Sequence, residues 1–162
     1  MKVLPVAPLV VRLGFIAPAQ GVVIAEDLIK QVLAGFETND QSALSHLTLN
    51  EAEYEAYVRP KVSANNPGAK LTKFYTLYRQ ISNGGLTEGL KRYGGRRWQL
   101  VKLKLGPAIS QGKHYRLLSA AVVTVRDSDG IEKRIRPVGA LLEHDGAFKV
   151  STYFVTPKAD TK

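Results

Sequence analysis

The first part of the chain has apolar residues at helical spacing. From Val22 to Phe36 they recur at steps of three and four, while charged residues take the other positions. This pattern predicts an amphipathic helix with one buried face. Asp40 is a suitable N-cap residue, so a short second helix is predicted over 41–47.

Two further helices are predicted from their capping signals. Thr48 and Glu51 form a T-x-x-E capping box that opens a third helix, and Pro60 should end it because the residue before a proline leaves the α region. Thr72 can cap a fourth helix, whose apolar residues again recur at helical spacing. The sequence Asn83-Gly84-Gly85 favours an end for that helix.

Beyond Arg96 the apolar period changes from 3.6 to 2, which indicates strands. Over 97–105, Val101 and Leu103 are expected on one face and Lys102 and Lys104 on the other. Two long strands follow over 114–126 and 131–143, joined by a turn at 127–130, and a last strand ends the sheet. Pro137 and Gly139 predict a bend in the second of these strands.

The order of elements predicts the fold class. Helices come first and an antiparallel meander of about four strands follows, so the chain is expected to be α+β with the helices packed on a strongly curved sheet. Residues 20–156 are predicted to form one domain and 157–162 a flexible tail.

The first 19 residues have the order of a secretory signal peptide. Lys2 is followed by an apolar run and then by the small residues Ala17 and Ala19 flanking Pro18. This interpretation predicts an exported, periplasmic or envelope-associated protein. A disordered tail, a wrongly assigned start codon and an extended first strand are the alternatives, with the cytoplasm as the alternative location, because Arg12 and two prolines interrupt the apolar run.

Composition narrows the chemistry without identifying a reaction. The chain has 162 residues, 23 Lys and Arg against 14 Asp and Glu, and no cysteine, which excludes thiol catalysis, Cys-ligated zinc and iron–sulfur clusters. Three histidines make a His-rich metal site unexpected, and no metal, cofactor or transmembrane span is predicted. The net charge of +9 is uneven, since residues 20–58 carry −6 and residues 59–104 carry +10. The simplest interpretation is that the acidic helices within 20–58 pack beside the basic segment 59–104 and partly neutralise its charge.

The arrangement resembles the nuclear transport factor 2-like, or ketosteroid isomerase-like, superfamily of cystatin-like α+β folds. The residues that carry the resemblance are the helix over 24–36, the strands within 114–155 and the closing hairpin LEHDGAFKV at 142–150. The resemblance implies a cone-shaped domain with a pocket, and it implies no particular reaction. An isomerase of that type needs a buried carboxylate in the cone. No acid occupies a fitting inward position, so no catalytic residue is predicted, and His144-Asp145-Gly146 is interpreted as a plain turn whose side chains point apart.

Two sets of residues are candidates for a binding site. The leading hypothesis is a non-enzymatic domain that binds a small apolar ligand or a partner protein in a cone or groove, with homodimerisation through the open sheet face as a further expectation. The pocket candidates are Tyr75, Tyr78, Tyr115 and Tyr153, although tyrosines at such spacing also occur at the edge of a core.

The alternative hypothesis is a nucleic-acid or anionic-surface binder that uses the basic stretch Lys91–Lys104. The anion-binding candidates are Lys91, Arg92, Arg96, Arg97 and Trp98. The purely structural interpretation of this stretch is a connector with two glycines whose Trp98 packs at the edge of the core. A small enzyme with an unrecognised pocket acid is a third interpretation.

Overall fold

The computed structural model describes residues 24–65 and 74–153. The predicted signal peptide at 1–19, the predicted cap Thr72 and the predicted tail at 157–162 lie outside the described residues. Within the described part, helices precede strands. The helical segments are α1 (Ala25–Glu37), α2 (Gln41–His46), α3 (Glu51–Glu53), a π-helical segment (Tyr54–Val58), α4 (Arg59–Asn65) and α5 (Phe74–Tyr93).

The caps of α2 and α3 show how local sequence sets the helix starts. The Asp40 carboxylate accepts a hydrogen bond from the Ala43 N–H at 2.9 Å, which confirms the predicted cap of α2. The capping box of α3 is formed by Asn50 and Glu53, so the predicted box at Thr48 and Glu51 is wrong by two residues. Thr48 instead forms a parallel β-bridge with Val150, and this extended backbone delays the helix start.

Two predicted helix ends are also wrong. The third helical stretch does not stop before Pro60, because α4 begins at Arg59 and contains that proline, and the π-helical segment ends at Val58, directly before α4. A proline leaves the carbonyl four residues earlier without its usual donor, and the wider π-helical turn reroutes the hydrogen bonds there. Helix α5 continues past Gly84 to Tyr93 because packing overrides glycine's low helix propensity. Gly89 illustrates this packing, since a Cβ there would meet the Phe36 ring at about 2.9 Å.

The strands form two antiparallel sheets, which confirms the α+β class and corrects the strand pattern. The sheets are β1-β4-β5 and β2-β3-β6-β7. The strands are β1 (Gln99–Lys104), β2 (Ala108–Gln111), β3 (Tyr115–Ser119), β4 (Val122–Arg126), β5 (Glu132–Ile135), β6 (Val138–His144) and β7 (Ala147–Tyr153).

Each predicted long strand is divided between the two sheets. The predicted strand over 114–126 breaks at 120–121 and the strand over 131–143 breaks at 136–137, where Pro137 cannot donate to a ladder. The chain between β1 and β2 breaks at the same level, because the Ser119 N–H donates to the Pro107 carbonyl at 2.9 Å. A Cβ at Gly106 would lie 2.7 Å from the Ala120 carbonyl oxygen, so only glycine fits this close approach.

The core lies between α1 and both sheets. Phe36 is fully buried there, and its ring meets the Tyr93 and Tyr153 rings edge-on. A second apolar cluster packs α5 and the π-helical segment against β3 and β6, through Tyr54, Tyr78, Leu117 and Leu142. Sheet β1-β4-β5 uses one face for the core, while its other face carries polar and charged residues.

Candidate functional site

The outer face of sheet β1-β4-β5 gathers cations from two strands that flank a central one. Register pairs Lys102 with Thr124 and Thr124 with Arg134, so these three residues form one row across the sheet. Lys104 pairs with Val122 in the next row, and Arg136 follows β5 at that level. Neighbouring strands lie about 4.8 Å apart, so lysines on one side and arginines on the other are separated by roughly 10 Å at the backbone.

These residues line a cavity, which we call the basic groove. Its volume is about 410 Å³. It is lined by Lys102, Lys104, Val122, Thr124, Arg134, Ile135 and Arg136. The groove is large enough for a small molecule, since ligand sites usually measure about 300–1,000 Å³.

The four cations of the basic groove have no acidic partner within residues 24–65 and 74–153. None of Lys102, Lys104, Arg134 and Arg136 is in an ion pair, whereas neighbouring cations of the same sheets are paired. Arg126 binds Glu132 at 2.7 Å and Lys133 binds Asp127 at 2.7 Å. The basic groove is therefore a concentration of uncompensated positive charge.

A β-bulge in β1 adds an apolar residue to this face. The register shifts between Leu100 and Lys102, so Leu100 and Leu103 both point towards the core. Val101, predicted to share a face with Leu103, is instead 42% exposed. It lines a second cavity of about 320 Å³ that shares Lys102, Thr124 and Arg134 with the basic groove.

The second cavity is electrically different from the basic groove. Its own residues include Glu132 and Lys133, and each of these is already held by an ion pair with a residue outside the cavity lining. The hydrogen bond from Lys133 lowers the pKa of Asp127, with further help from the Ile131 N–H. The strip of positive charge therefore ends at the row of Lys102 and Arg134.

Of the predicted basic stretch Lys91–Lys104, Lys102 and Lys104 line the basic groove, whereas the five named anion-binding candidates lie elsewhere. Lys91 and Arg92 are in the last turn of α5, where the helix dipole favours positive charge. Lys91 also binds Glu88 at 2.8 Å. The contact with Lys91 lowers the pKa of Glu88. Arg96 and Arg97 are exposed in the connector after α5. Trp98 is only 8% exposed and donates its indole N–H to the Tyr93 carbonyl, so its ring is unavailable for stacking on a base.

Arg97 lines a separate, more mixed cavity. Its volume is about 550 Å³, and Glu37 and Asp127 contribute acids to it. The acidic helices meet the basic middle at one described ion pair, in which Glu55 binds Arg59 one helical turn later. Glu53 instead binds Lys149 of β7 at 2.6 Å.

The four predicted pocket tyrosines do not meet around one cavity. Tyr75 and Tyr78 pack with Tyr54 in the second apolar cluster, and Tyr153 lies in the main core. The Tyr78 hydroxyl donates to the Ser151 carbonyl and the Tyr153 hydroxyl to the Leu44 carbonyl. Tyr115 is half-buried and lines a cavity of about 330 Å³ at the end of the β3–β6 pair. Tyr78 and Tyr153 therefore act as core residues.

The burial of Tyr153 predicts an alkaline loss of stability. Burial raises the pKa of Tyr153 above its ordinary value of 10.0, so above that pH the unfolded chain loses a proton that the folded chain keeps. The contribution of Tyr153 to the free energy of unfolding is therefore fully present below pH 10. Above pH 10 it falls by about 1.4 kcal/mol for each pH unit. In Tyr153→Phe the slope above pH 10 should be smaller, as urea unfolding at several pH values can measure. An unchanged slope would contradict this role of Tyr153.

A second polar cluster lies at the β6–β7 turn. The Tyr57 hydroxyl is 2.6 Å from His144 Nε2, and Asp145 approaches both His144 at 3.2 Å and His114 at 3.3 Å. The prediction that His144 and Asp145 point apart is therefore wrong, because Asp145 has a φ of 47° and turns its carboxylate back between the imidazoles. Tyr57, which the sequence analysis missed, comes from the π-helical segment. Asp145 and His114 are each 62% exposed, so solvent screens this cluster.

The described residues contain no group of three or more acids and histidines placed to hold a metal ion. Nor does any helix of 24–65 or 74–153 have the length and apolar character needed to cross a bilayer. No known protein-family model, curated protein or solved structure matches the chain.

Proposed function

We propose that this protein is a non-enzymatic binding domain that takes up an anionic ligand in the basic groove. The observation that carries the proposal is the set of four cations without acidic partners on one face of sheet β1-β4-β5. Like charges held on the two strands that flank β4 repel each other, and an anion bound between them would replace repulsion with attraction.

The side chains of the groove suit phosphate or carboxylate groups. Arg134 and Arg136 offer planar guanidinium groups that can bind two oxygens at once, and the lysines on the opposite side add ammonium donors. Thr124 lies between them on the central strand and adds a hydroxyl. This set supplies positive charge and hydrogen-bond donors, which supports binding as the role of the groove.

Titration with inorganic pyrophosphate tests the proposal. Arg134→Gln should weaken pyrophosphate binding by about tenfold or more, because a hydrogen bond to a charged group is worth about 1.5–3 kcal/mol. Arg96→Gln is the matched control, since it removes the same charge from the exposed connector after α5. Isothermal titration calorimetry at low and high salt would measure both effects, and wild-type binding should weaken with salt. Equal losses in the two variants, or no binding at low salt, would overturn the proposal.

The resemblance to the nuclear transport factor 2-like superfamily remains part of this proposal, with a cone-shaped domain and export as expectations. Helices that precede the strands support it, as do strand breaks near Gly106, Ala120 and Pro137 that fall at one level of the paired strands. The proposal moves the ligand from a tyrosine-lined pocket to a charged groove on the outer face of the sheet.

The basic groove also bears on the other partners considered. Homodimerisation through this face would place the cations of one copy against those of another, which like-charge repulsion opposes. Nucleic acid fits the positive charge, but the groove lining contains no aromatic ring on which a base could stack.

A further inference from the structure

We infer that the ligand of the basic groove is an elongated small molecule with an anionic group at one end and an uncharged, partly apolar body at the other. This inference rests on the proposed function and adds the class of ligand. It follows from the change in charge along the central strand β4.

The positive part of the groove is short. It consists of two rows, Lys102 with Arg134 and Lys104 with Arg136, which lie about 7 Å apart along the strands. In the next row the charge is cancelled, because Arg126 binds Glu132 at 2.7 Å. A long polyanion would need cations to continue in that direction, whereas one or two anionic groups are satisfied by these two rows.

Beyond the shared row, the second cavity continues the groove with one apolar residue and two charged residues that are already paired. It opens directly from the row of Lys102, Thr124 and Arg134, which both cavities share. Its charged residues Glu132 and Lys133 are already paired, and Val101 is exposed there only because of the β-bulge. A ligand anchored by its anionic group would therefore extend an uncharged body over Val101 and Thr124.

The volumes of the two cavities agree with a ligand of this size. The basic groove measures about 410 Å³ and the second cavity about 320 Å³, and each lies within the usual range for small-molecule sites. Val122 in the basic groove and Val101 beyond it provide apolar contact on either side of Thr124. A monoester such as an alkyl phosphate matches both the charged end and the apolar extension.

A series of phosphate compounds tests the inference. Inorganic phosphate, butyl phosphate and octyl phosphate, the last kept below its micelle concentration, would be titrated into the full-length protein by calorimetry. Affinity should rise along the series, by up to about fourfold for each methylene that is buried, and octyl phosphate should bind at least about tenfold more tightly than phosphate. Equal affinity along the series would overturn the inference.

Matched variants assign the effect to the second cavity. Val101→Thr should remove much of the gain of octyl phosphate over phosphate, measured as the ratio of the two affinities in the same variant. Ile109→Thr is the control, because Ile109 is likewise exposed beside a β-bulge but lies outside both cavities. Equal effects of the two variants would contradict an apolar body over Val101.

A short oligothymidylate distinguishes a polymer from a small ligand. If it binds more tightly than octyl phosphate and Val101→Thr has no effect, the ligand is a polyanion and the inference is wrong while the proposed function stands. If neither phosphate nor any ester binds at low salt, the proposed function and this inference both fail.

Discussion

Phe36→Ala is expected to lower the free energy of unfolding of the domain by about 3–5 kcal/mol. The ring is fully buried between α1, α5 and β7, and it meets Tyr93 at 5.7 Å and Tyr153 at 6.4 Å between ring centroids. Truncation of a buried phenylalanine costs about 3–5 kcal/mol, because apolar contact is lost and a cavity remains. A domain of this size has about 5–15 kcal/mol in total. Urea unfolding followed by circular dichroism would measure the loss.

Two further variants make this prediction decisive. Ile81→Ala removes an apolar side chain that is 52% exposed on α5, so the free energy of unfolding should change by no more than about 0.5 kcal/mol. Phe36→Leu keeps part of the side-chain volume, so its free energy of unfolding should lie below that of the wild type and above that of Phe36→Ala. If Phe36→Ala is too unstable to measure, the loss in Phe36→Leu tests the prediction. A loss below about 1 kcal/mol in Phe36→Ala would contradict the central position of this ring.

Reversing charge in the basic groove is the second prediction with a large effect. Lys102→Glu combined with Arg134→Glu should weaken pyrophosphate binding by at least about a hundredfold, because attraction becomes like-charge repulsion across the row of Thr124. Both side chains are exposed and unpaired within the described residues, so the fold should tolerate the change. Calorimetric titration and a melting curve of each protein would measure binding and folding separately.

The matched control for this reversal separates groove charge from total charge. Lys61→Glu with Arg96→Glu alters the net charge by the same amount at two exposed positions away from the groove. Pyrophosphate affinity should then fall only slightly, because salt screens charges that lie more than about 10 Å from the bound anion. A loss equal to that of the groove variant would mean that the total positive charge, and not the groove, attracts the anion.

Local signals in the sequence were sufficient for several elements. The spacing of Leu28, Val32 and Phe36 predicts α1, and Asp40 predicts the start of α2. Asp127 to Gly130 and Asp145-Gly146 predict the turns, because these residues accept positive φ or bond to their own backbone. These features depend on neighbours in the chain, which the sequence displays directly.

The basic groove could not be predicted from local sequence signals. Lys102 and Arg134 are 32 positions apart in the sequence, and they share a row only because both strands pair with β4. The alternation of Glu132, Arg134 and Arg136 was a usable signal for one polar face of β5. The bulge that exposes Val101 had no comparable signal, since period 2 alone placed that residue inward. The basic residues of Lys91–Lys104 are continuous in the sequence, but the fold distributes them over the end of α5, the connector after it and β1.

The most direct test of the central claim is a map of where an anion binds to the wild-type protein. Backbone amide chemical shifts would be followed by NMR during titration with inorganic pyrophosphate. We predict that the saturable changes concentrate on β1, β4 and β5, at Lys102, Thr124 and Arg134 above all. Changes centred on the connector around Arg96, or spread over every basic surface, would contradict an anion site in the basic groove.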